Sequence, residues 1–261
     1  MADATGASAS GGSVQALHRA LGLVDTVRDA GGRLSIREMS VLTHLPQPTV
    51  HRLLKTLVGC GYMRQLPDRH YALGFKLVAL GQTANRLVGL GAELTLTALV
   101  HELGETANLA ILSGDRAEYV AQVQSPHAMR MFTEPGRRVD LHASGVGKAL
   151  LAQLDESTVI QLVGRTGMAT HTTHTIVTET RLLAELAAIR RLGYCVDDEE
   201  QELGVRCVAV AVSSPGSMRT ALSISGPVAR VHAALIDRAV PLLQAAARQL
   251  SMGTFEQGGS A

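Results

Sequence analysis

The chain has 261 residues, of which 46% are hydrophobic and only 3% aromatic, so it can hold one large or two modest domains with aliphatic cores. Its three cysteines form no metal-binding pattern and cannot all pair with one another, so we expect a reduced, cytoplasmic environment. The N-terminal residues lack the charge and apolar core of a signal peptide, and no run approaches the ~18 apolar residues of a membrane-spanning helix.

The net charge of +1 conceals an uneven distribution of charged residues. Residues 14–76 contain nine lysines and arginines against four acidic residues, an excess of five positive charges. Residues 77–261 carry a net charge of −3. A basic head on a mildly acidic body favours a polyanion as the partner of the head, although chance variation in surface charge would give the same pattern.

Residues 1–13 are rich in glycine, alanine and serine, and we predict a disordered tail there. Apolar residues at helical spacing between Leu17 and Val27 predict a first helix, which Gly31 and Gly32 end. The ordered part of the chain is therefore expected to begin near residue 14.

The next segment predicts a helix, a tight turn and a second helix, the layout of a DNA-reading helix-turn-helix. Ser35 and Glu38 have the spacing of a capping box, in which each side chain bonds the backbone amide of the other. The predicted buried stripe of this helix consists of Ile36, Met39 and Leu42. Residues 44–46 form the turn, and Gln47–Val58 form the following helix, where Pro48 is tolerated in the first turn. The predicted apolar face of that helix consists of Val50, Leu53, Leu54 and Leu57.

In a recognition helix, N-terminal side chains reach base edges in the major groove while flanking groups hold phosphates. Gln47, Thr49 and His51 are the candidates for base edges. Arg52 and Lys55 are the candidates for phosphates or guanine. The alternative is an ordinary three-helix packing module with a solvated polar face.

Two short strands are predicted at residues 62–65 and 70–73, around a turn at residues 66–69. They form a β-hairpin wing with Arg69 near its tip. A guanidinium there would enter a neighbouring minor groove, where the negative potential favours it. The N-terminal head is therefore predicted to be a winged helix-turn-helix.

The second part of the chain begins with a predicted linker helix that would contribute dimer contacts. A separate helix is predicted through Leu94–Leu103, ending at Gly104. Residues 108–112 and 117–123 are predicted to be strands on either side of a turn that contains Asp115, and this arrangement predicts a hairpin.

The letters GVGK at residues 145–148 invite comparison with a nucleotide-binding phosphate loop. That loop needs glycine where this chain has His142 and serine or threonine where it has Ala149, so we reject it. A turn that leads into a helix is the better interpretation. Its exposed amides would hold a small anion, or the glycines would be purely structural.

An acidic cluster consists of Asp197, Asp198, Glu199, Glu200 and Glu202. Neighbouring side chains of an extended segment point to alternating faces and no histidine lies nearby, so a solvated or salt-bridged loop is favoured over a metal site. The sequence therefore predicts no metal and no cofactor.

A strand that begins at Cys207 should direct Cys207, Ala209 and Ala211 to one face and three valines to the other. Ser223 and Ser225 share a face of the strand 221–225. A cysteine on an apolar strand usually belongs to the core, but two hydroxyls on one face make a small polar pocket plausible.

Six ordered blocks resemble the IclR family of bacterial transcriptional regulators. They are VQALHRALGLVDTV, LTHLPQPTVHRLLKTL, GYMRQLPDRHYALG, LHASGVGKALLAQL, GYCVDDEEQELGVRCVAVAV and ALSISGP. The resemblance covers about residues 14–252 and is closest to the branch that represses glyoxylate-shunt or allantoin-degradation genes. It implies an α+β protein with a winged helix-turn-helix, a linker helix and a GAF-like α/β effector-binding domain.

On this basis the domains are a disordered tail at 1–13, the DNA-binding domain at 14–76, the linker helix at 77–90, the effector-binding domain at 91–252 and a second tail at 253–261. Pro48 departs from the family, which often has a small hydroxyl residue there. It removes a possible donor to DNA, so the operator sequence cannot be transferred.

The resemblance also implies the residues of an effector site. The amides of Gly145 and Val146 would bind a carboxylate. The implied polar groups are Asp197, Cys207, Ser223 and Ser225, and the implied apolar walls are Met131, Val139 and Val205. An acid beside an anion is chemically odd, so Asp197 would need a hydroxyl, an amide or a protonated partner, as a hydrated aldehyde or a ureide offers.

These observations predict a metabolite-responsive repressor that binds a pseudo-palindromic, double-stranded operator as a homodimer or tetramer. The effector would be of the glyoxylate, pyruvate or allantoin type. The alternatives are a DNA-binding architectural protein without a ligand and an enzyme built on the C-terminal domain. The sequence contains no Ser/His/Asp residues in the order of a catalytic triad, no zinc ligands at the usual spacing and no complete phosphate loop, so it does not support the enzyme.

Overall fold

The computed structural model describes residues 14–131, 134–213 and 218–256, with the side chains of 84–91 and 252–256 left out. The predicted tail at 1–13 lies outside this part of the chain. The chain divides into two compact units, residues 1–84 and 85–261. None of the helices in the described residues is long and apolar enough to cross a membrane.

The N-terminal unit combines three helices with a small antiparallel sheet. Its elements are α1 (Gln15–Asp29), β1 (Arg33–Leu34), α2 (Ile36–Thr43), α3 (Gln47–Gly59), β2 (Met63–Gln65) and β3 (Tyr71–Leu73). The strand order is β1-β3-β2. The predicted winged helix-turn-helix is confirmed, but β1 was not predicted, because two residues are too short to show a strand period.

The capping box at the start of α2 is present as predicted. The Ser35 amide donates to Glu38 Oε2 at 2.7 Å, and the Glu38 amide donates to Ser35 Oγ at 3.3 Å. His44 ends the helix in the left-handed conformation, with φ 55°. The capping bonds define the start of α2, and the left-handed His44 defines its end.

The predicted buried stripe of α2 is wrong at Leu42, whose side chain is 55% exposed. Met39 is fully buried and Ile36 is half-buried. The third position of the stripe is Thr43, which is half-buried and donates to the Met39 carbonyl. An eight-residue helix packs along one narrow line, so the residue four after Met39 is covered and the residue three after it is not.

A single helix, α4, runs from Lys76 to Leu103. The linker helix predicted at 77–90 and the separate helix predicted through Leu94–Leu103 are therefore one element. Gly89 and Gly91 lie where the two predicted helices would part. Glycine lowers helix stability by about 1 kcal/mol but keeps its amide proton, so it interrupts a helix far less than proline does.

The C-terminal unit is a six-stranded antiparallel sheet between layers of helices. Its remaining elements are β4 (Thr106–Ser113), β5 (Arg116–Val123), β6 (Arg138–Val139), α5 (Gly145–Leu151), α6 (Glu156–Thr166), α7 (Glu179–Leu192), β7 (Cys195–Asp198), β8 (Val205–Val212), β9 (Thr220–Pro227) and α8 (Ala233–Glu256). The strand order is β6-β5-β4-β9-β8-β7. The tail predicted at 253–261 thus begins inside α8, and residues 257–261 lie outside the described chain.

The two faces of the sheet support separate apolar cores. Cys207 and Ala209 of β8 pack with α5, α6 and α7, whereas Val208 and Val210 pack with α4 and α8. This confirms the predicted alternation along β8 and the predicted α+β class. The face toward α5 carries the small and polar side chains, so the candidate site lies on that side.

Candidate DNA-binding and effector sites

The predicted DNA-binding residues lie on α3 and on the turn of the wing. The buried side of α3 consists of Val50, Leu54 and Leu57. On the other side, His51, Arg52 and Lys55 are exposed. Gln47 and Pro48 are also exposed at the first turn, and Thr49 is half-buried. The helix therefore presents two cations and a row of polar groups to solvent, as a major-groove helix requires.

The wing turn leaves Arg69 exposed at its end. Asp68 forms its ion pair with Arg33 of β1, and its Oδ1 accepts the His70 amide at 3.1 Å. The hydrogen bond from the His70 amide and the positive charge of Arg33 keep the pKa of Asp68 below its ordinary value. Arg69 itself has a left-handed backbone, with φ 65°. Asp68 is thus paired within the fold, and Arg69 is exposed at the turn.

Other cations of this unit have structural partners. Arg64 stacks over the Phe75 ring at 4.8 Å, and Lys76 stacks over the Tyr62 ring at 4.7 Å. Lys76 also donates to the Cys60 carbonyl at 3.3 Å. These contacts separate the basic residues that hold the wing from those that α3 presents.

A small cavity lies in the C-terminal unit at the start of α5. Its described lining residues are Tyr119, Met131, Arg137, Val139, Ser144, Gly145, Asp197, Gln201, Glu202, Val205, Cys207 and Ser225. Its volume is about 20 Å³, which is room for one water molecule. The cavity brings together seven of the nine predicted effector residues.

Val146 and Ser223 are the two predicted residues outside that lining. Val146 is fully buried in the core around α5. Ser223 Oγ accepts a long hydrogen bond from Asn108 Nδ2 at 3.5 Å, and Ser225 Oγ accepts one at 3.3 Å. Asn108 therefore lies between the two serines and fixes the polar end of β9.

Five lining residues were not predicted: Tyr119, Arg137, Ser144, Gln201 and Glu202. Glu202 belongs to the acidic cluster and Gln201 lies within it, so the nearness of Asp197 was the one available signal for them. Tyr119 and Arg137 reach the cavity only because β5 and β6 pair with each other. No local pattern reveals that pairing.

The start of α5 needs glycine for packing. A Cβ on Gly145 would lie 2.8 Å from Cys207 Sγ, and a Cβ on Gly147 would lie 2.5 Å from the Leu141 carbonyl oxygen. Ser144 caps the helix and accepts the Gly147 amide at 3.2 Å. The Gly145 and Val146 amides have no acceptor within the helix, because the first turn of any helix leaves its amides unpaired. The predicted turn into a helix is confirmed.

Lys148 does not serve as a phosphate ligand. Its side chain is fully buried, and Nζ donates to Glu200 at 2.6 Å, to Glu185 at 3.1 Å and to the Val196 carbonyl at 2.9 Å. Burial by itself lowers the pKa of Lys148. The interactions with Glu200 and Glu185 raise it, and the pKa of Lys148 lies above its ordinary value. The salt-bridged form of the acidic segment is thus present, and it ties α5 to the turn after β7.

Asp197 lies at the wall of the cavity with little solvent around it. Its Oδ1 accepts the Glu200 amide at 2.8 Å and the Gln201 amide at 3.4 Å. Burial raises the pKa of Asp197 to about 7. A carboxyl that is partly protonated at neutral pH can lie beside an anion without full repulsion, which resolves the difficulty that the sequence raised.

A basic winged helix-turn-helix in one unit and an antiparallel α/β sheet domain in the other define a class, the DNA-binding transcriptional regulators. Sequence models of one family match both units. The IclR helix-turn-helix domain matches residues 16–67, and the bacterial transcriptional regulator IclR C-terminal domain matches residues 87–252. The chain belongs to the IclR family of transcriptional regulators, and this membership excludes the enzyme alternative.

Two curated relatives come from Escherichia coli K12. The chain is 38% identical over 226 residues to the transcriptional repressor IclR, covering 84% of this chain and 82% of that protein. It is 37% identical over 221 residues to the repressor AllR, covering 83% and 82%. A solved IclR-type regulator from a Silicibacter species superposes with a TM-score of 0.85 over 94% of this chain and 97% of that one. At 24% identity, that structure supports the fold alone.

Proposed function

We propose that this protein is a metabolite-responsive transcriptional repressor of the IclR and AllR type. Its α3 and wing bind an operator, and a small carboxylate or ureide in the cavity at α5 changes the affinity for that operator. The names of the two E. coli relatives support repression. The glyoxylate, pyruvate and allantoin types remain the candidate effectors.

The polar cavity at the start of α5 is the observation that carries the proposal. It combines Gly145 at the first turn of α5, a carboxyl at Asp197 whose pKa is raised to about 7, and the Cys207 and Ser225 side chains in a small space. A volume of about 20 Å³ is smaller than any of these effectors, so binding requires the walls to move. A ligand that must open its own site is coupled to the shape of the domain.

The required coupling is modest. A hundredfold change in operator affinity corresponds to about 2.7 kcal/mol, within the usual range for allosteric proteins. A few hydrogen bonds that form in only one arrangement supply that amount. Because α4 contributes residues to both units, it is the element that we propose carries the change.

On the DNA side, we propose that a homodimer or tetramer places two copies of α3 on a pseudo-palindromic site. Gln47, Thr49 and His51 would contact base edges, and Arg52 and Lys55 would contact phosphates or guanine. Pro48 would shape the first turn, and Arg69 would enter the minor groove. All of these residues are exposed except Thr49, which is half-buried, and this is consistent with the proposed roles.

The test is a fluorescence-anisotropy titration of the full chain against DNA from upstream of its own gene and the adjacent genes. A random duplex of equal length serves as the control at one moderate salt concentration. We expect a marked preference for one upstream fragment and a shift with glyoxylate, pyruvate or allantoin. Equal binding to every duplex would overturn the proposal. A preference that no metabolite shifts would instead favour the ligand-independent architectural protein.

A further inference from the structure

Gln201 carries a buried polar atom that the fold does not satisfy. Its Oε1 has no hydrogen-bond partner within the described residues, and the residue lines the cavity at α5. Folded proteins pair almost all buried carboxamide groups, because an unpaired one loses its bonds to water without replacement. An unpaired acceptor at the wall of a ligand cavity indicates a donor on the ligand.

The backbone around Gln201 is fixed independently of its side chain. Asp197 Oδ1 accepts the amides of Glu200 and Gln201, and Glu200 Oε1 accepts Lys148 Nζ at 2.6 Å. The turn between β7 and β8 is therefore held by Asp197 and Lys148. The carboxamide of Gln201 is not needed to form it.

Glu200 also has an unpaired buried oxygen, Oε2, but its situation differs. Its other oxygen is engaged by Lys148, and Glu200 is not among the described lining residues. Of these two neighbours, only Gln201 has its unpaired atom at a residue that a ligand can contact.

The cavity lining offers both acceptors and donors. β7 and the turn after it supply acceptors, namely the carboxyls of Asp197 and Glu202 and the carboxamide of Gln201. The lining also includes the guanidinium-bearing Arg137 and the backbone of Gly145, which are donors. A ligand that satisfies both kinds of group carries an anionic group and N–H donors.

We propose that Gln201 is a specificity-determining residue whose Oε1 accepts a hydrogen bond from an N–H of the effector. The cavity therefore prefers a small acid that carries an amide or ureido group over an oxo acid of the same shape. This inference rests on the proposed function, since it concerns the same site, and it selects the ureide class among the candidate effectors.

Two compounds of nearly identical shape test this preference. N-carbamoylglycine has an acetate group joined to NH–CO–NH2, and levulinate replaces those nitrogens with CH2 and CH3. Calorimetric titration of the full wild-type chain should give a dissociation constant at least about tenfold lower for N-carbamoylglycine, since loss of a hydrogen-bond donor leaves Gln201 unpaired.

Two variants separate hydrogen bonding from packing. Gln201→Met keeps the length of the side chain without the acceptor, so the ratio of the two dissociation constants should fall to about one. Gln201→Glu keeps an acceptor at the same place. The added negative charge weakens the binding of both anionic compounds, but the ratio of their two dissociation constants should remain at about tenfold or more. Thermal unfolding of each variant checks that the domain is intact.

Equal affinity of the wild-type chain for the two compounds would overturn the inference. A preference that survives in Gln201→Met, or disappears in Gln201→Glu, would do the same. If neither compound binds at millimolar concentration, the inference fails. The proposed function is then judged separately by the operator titration with glyoxylate, pyruvate and allantoin.

Discussion

The six candidate DNA-contacting residues of α3 lie within nine consecutive positions of one helix, whereas the cavity draws its lining from six elements of the sheet domain and the loops between them. The cations of α3 are exposed, whereas Lys148, which holds the turn at the cavity, is buried and paired with Glu200. An exposed charge is available to any polyanion in solution. A buried charge acts on a ligand only through a fixed geometry. Substitutions near the cavity should therefore affect stability and effector binding, whereas substitutions of the α3 cations should affect DNA binding.

The largest expected effect is on stability and comes from Lys148→Met. Removing the buried ammonium leaves Glu200 without its counter-ion, so the free energy of unfolding should fall by about 3–5 kcal/mol. The matched control is Lys55→Met on exposed α3, which should change stability by no more than about 0.5 kcal/mol. Urea denaturation measures both. A similar loss in the two variants would remove the contrast between the regions.

The next largest effect concerns DNA. Arg52→Ala should weaken operator binding by about a hundredfold or more, because the proposed dimer would lose one guanidinium contact at each half-site. Metabolite binding, followed by calorimetry, should be unchanged. The control is Arg19→Ala, which removes an exposed arginine of α1 and should weaken operator binding only a few-fold. Unchanged operator binding by Arg52→Ala would show that α3 does not enter the groove in the proposed way.

Gly145→Ala sharpens the comparison on the effector side. The new methyl group would lie 2.8 Å from Cys207 Sγ, so α5 or the Cys207 side chain must shift. We expect a loss of about 1–3 kcal/mol of stability and a loss of effector binding. Gly164→Ala in α6 meets nothing within 4 Å and should be neutral or stabilising by up to about 1 kcal/mol. Equal thermal shifts in the two variants would contradict the close packing of α5.

The smallest expected effect is a pH dependence centred on Asp197, whose pKa burial raises to about 7. The hydrogen bond from the Glu200 amide opposes this rise, the charge of the Glu200 carboxylate adds to it, and the charge of Lys148 opposes it. An anionic effector favours the protonated carboxyl, so affinity should fall about tenfold between pH 6 and pH 8. Calorimetry at several pH values checks this, and Asp197→Asn should remove the dependence. A flat profile for the wild-type chain would mean that no proton on Asp197 accompanies binding.

The same shift affects stability with a defined sign. The pKa of Asp197 in the folded chain lies above its ordinary value of 3.8, so the folded state holds a proton that the unfolded state has lost. Its contribution to stability therefore decreases as the pH rises from about 4 to about 7. Asp197→Asn should flatten the stability profile over that window.

The features of this chain that could be predicted from sequence depend on near neighbours. The capping box of Ser35 and Glu38 and the alternation along β8 each involve spacings of two to four residues, and both are confirmed. The exposure of Leu42 and the continuity of α4 depend on which neighbours finally pack. Helical spacing alone could not decide either one.

The candidate cavity shows the same limit at longer range. Seven of its lining residues followed from the family resemblance, but Tyr119 and Arg137 enter through pairing between β5 and β6. Gln201 lay one residue beyond the predicted run of four acids. Its unpaired oxygen becomes visible only when every neighbouring donor has been placed in space.

The small volume of the cavity also has a kinetic consequence. The proposed effectors are larger than the space of about 20 Å³ in this structure, so we expect them to enter only after the walls part. The observed association rate should therefore level off at high effector concentration, at the rate of opening. That rate would set how quickly a cell could switch its genes after the metabolite appears.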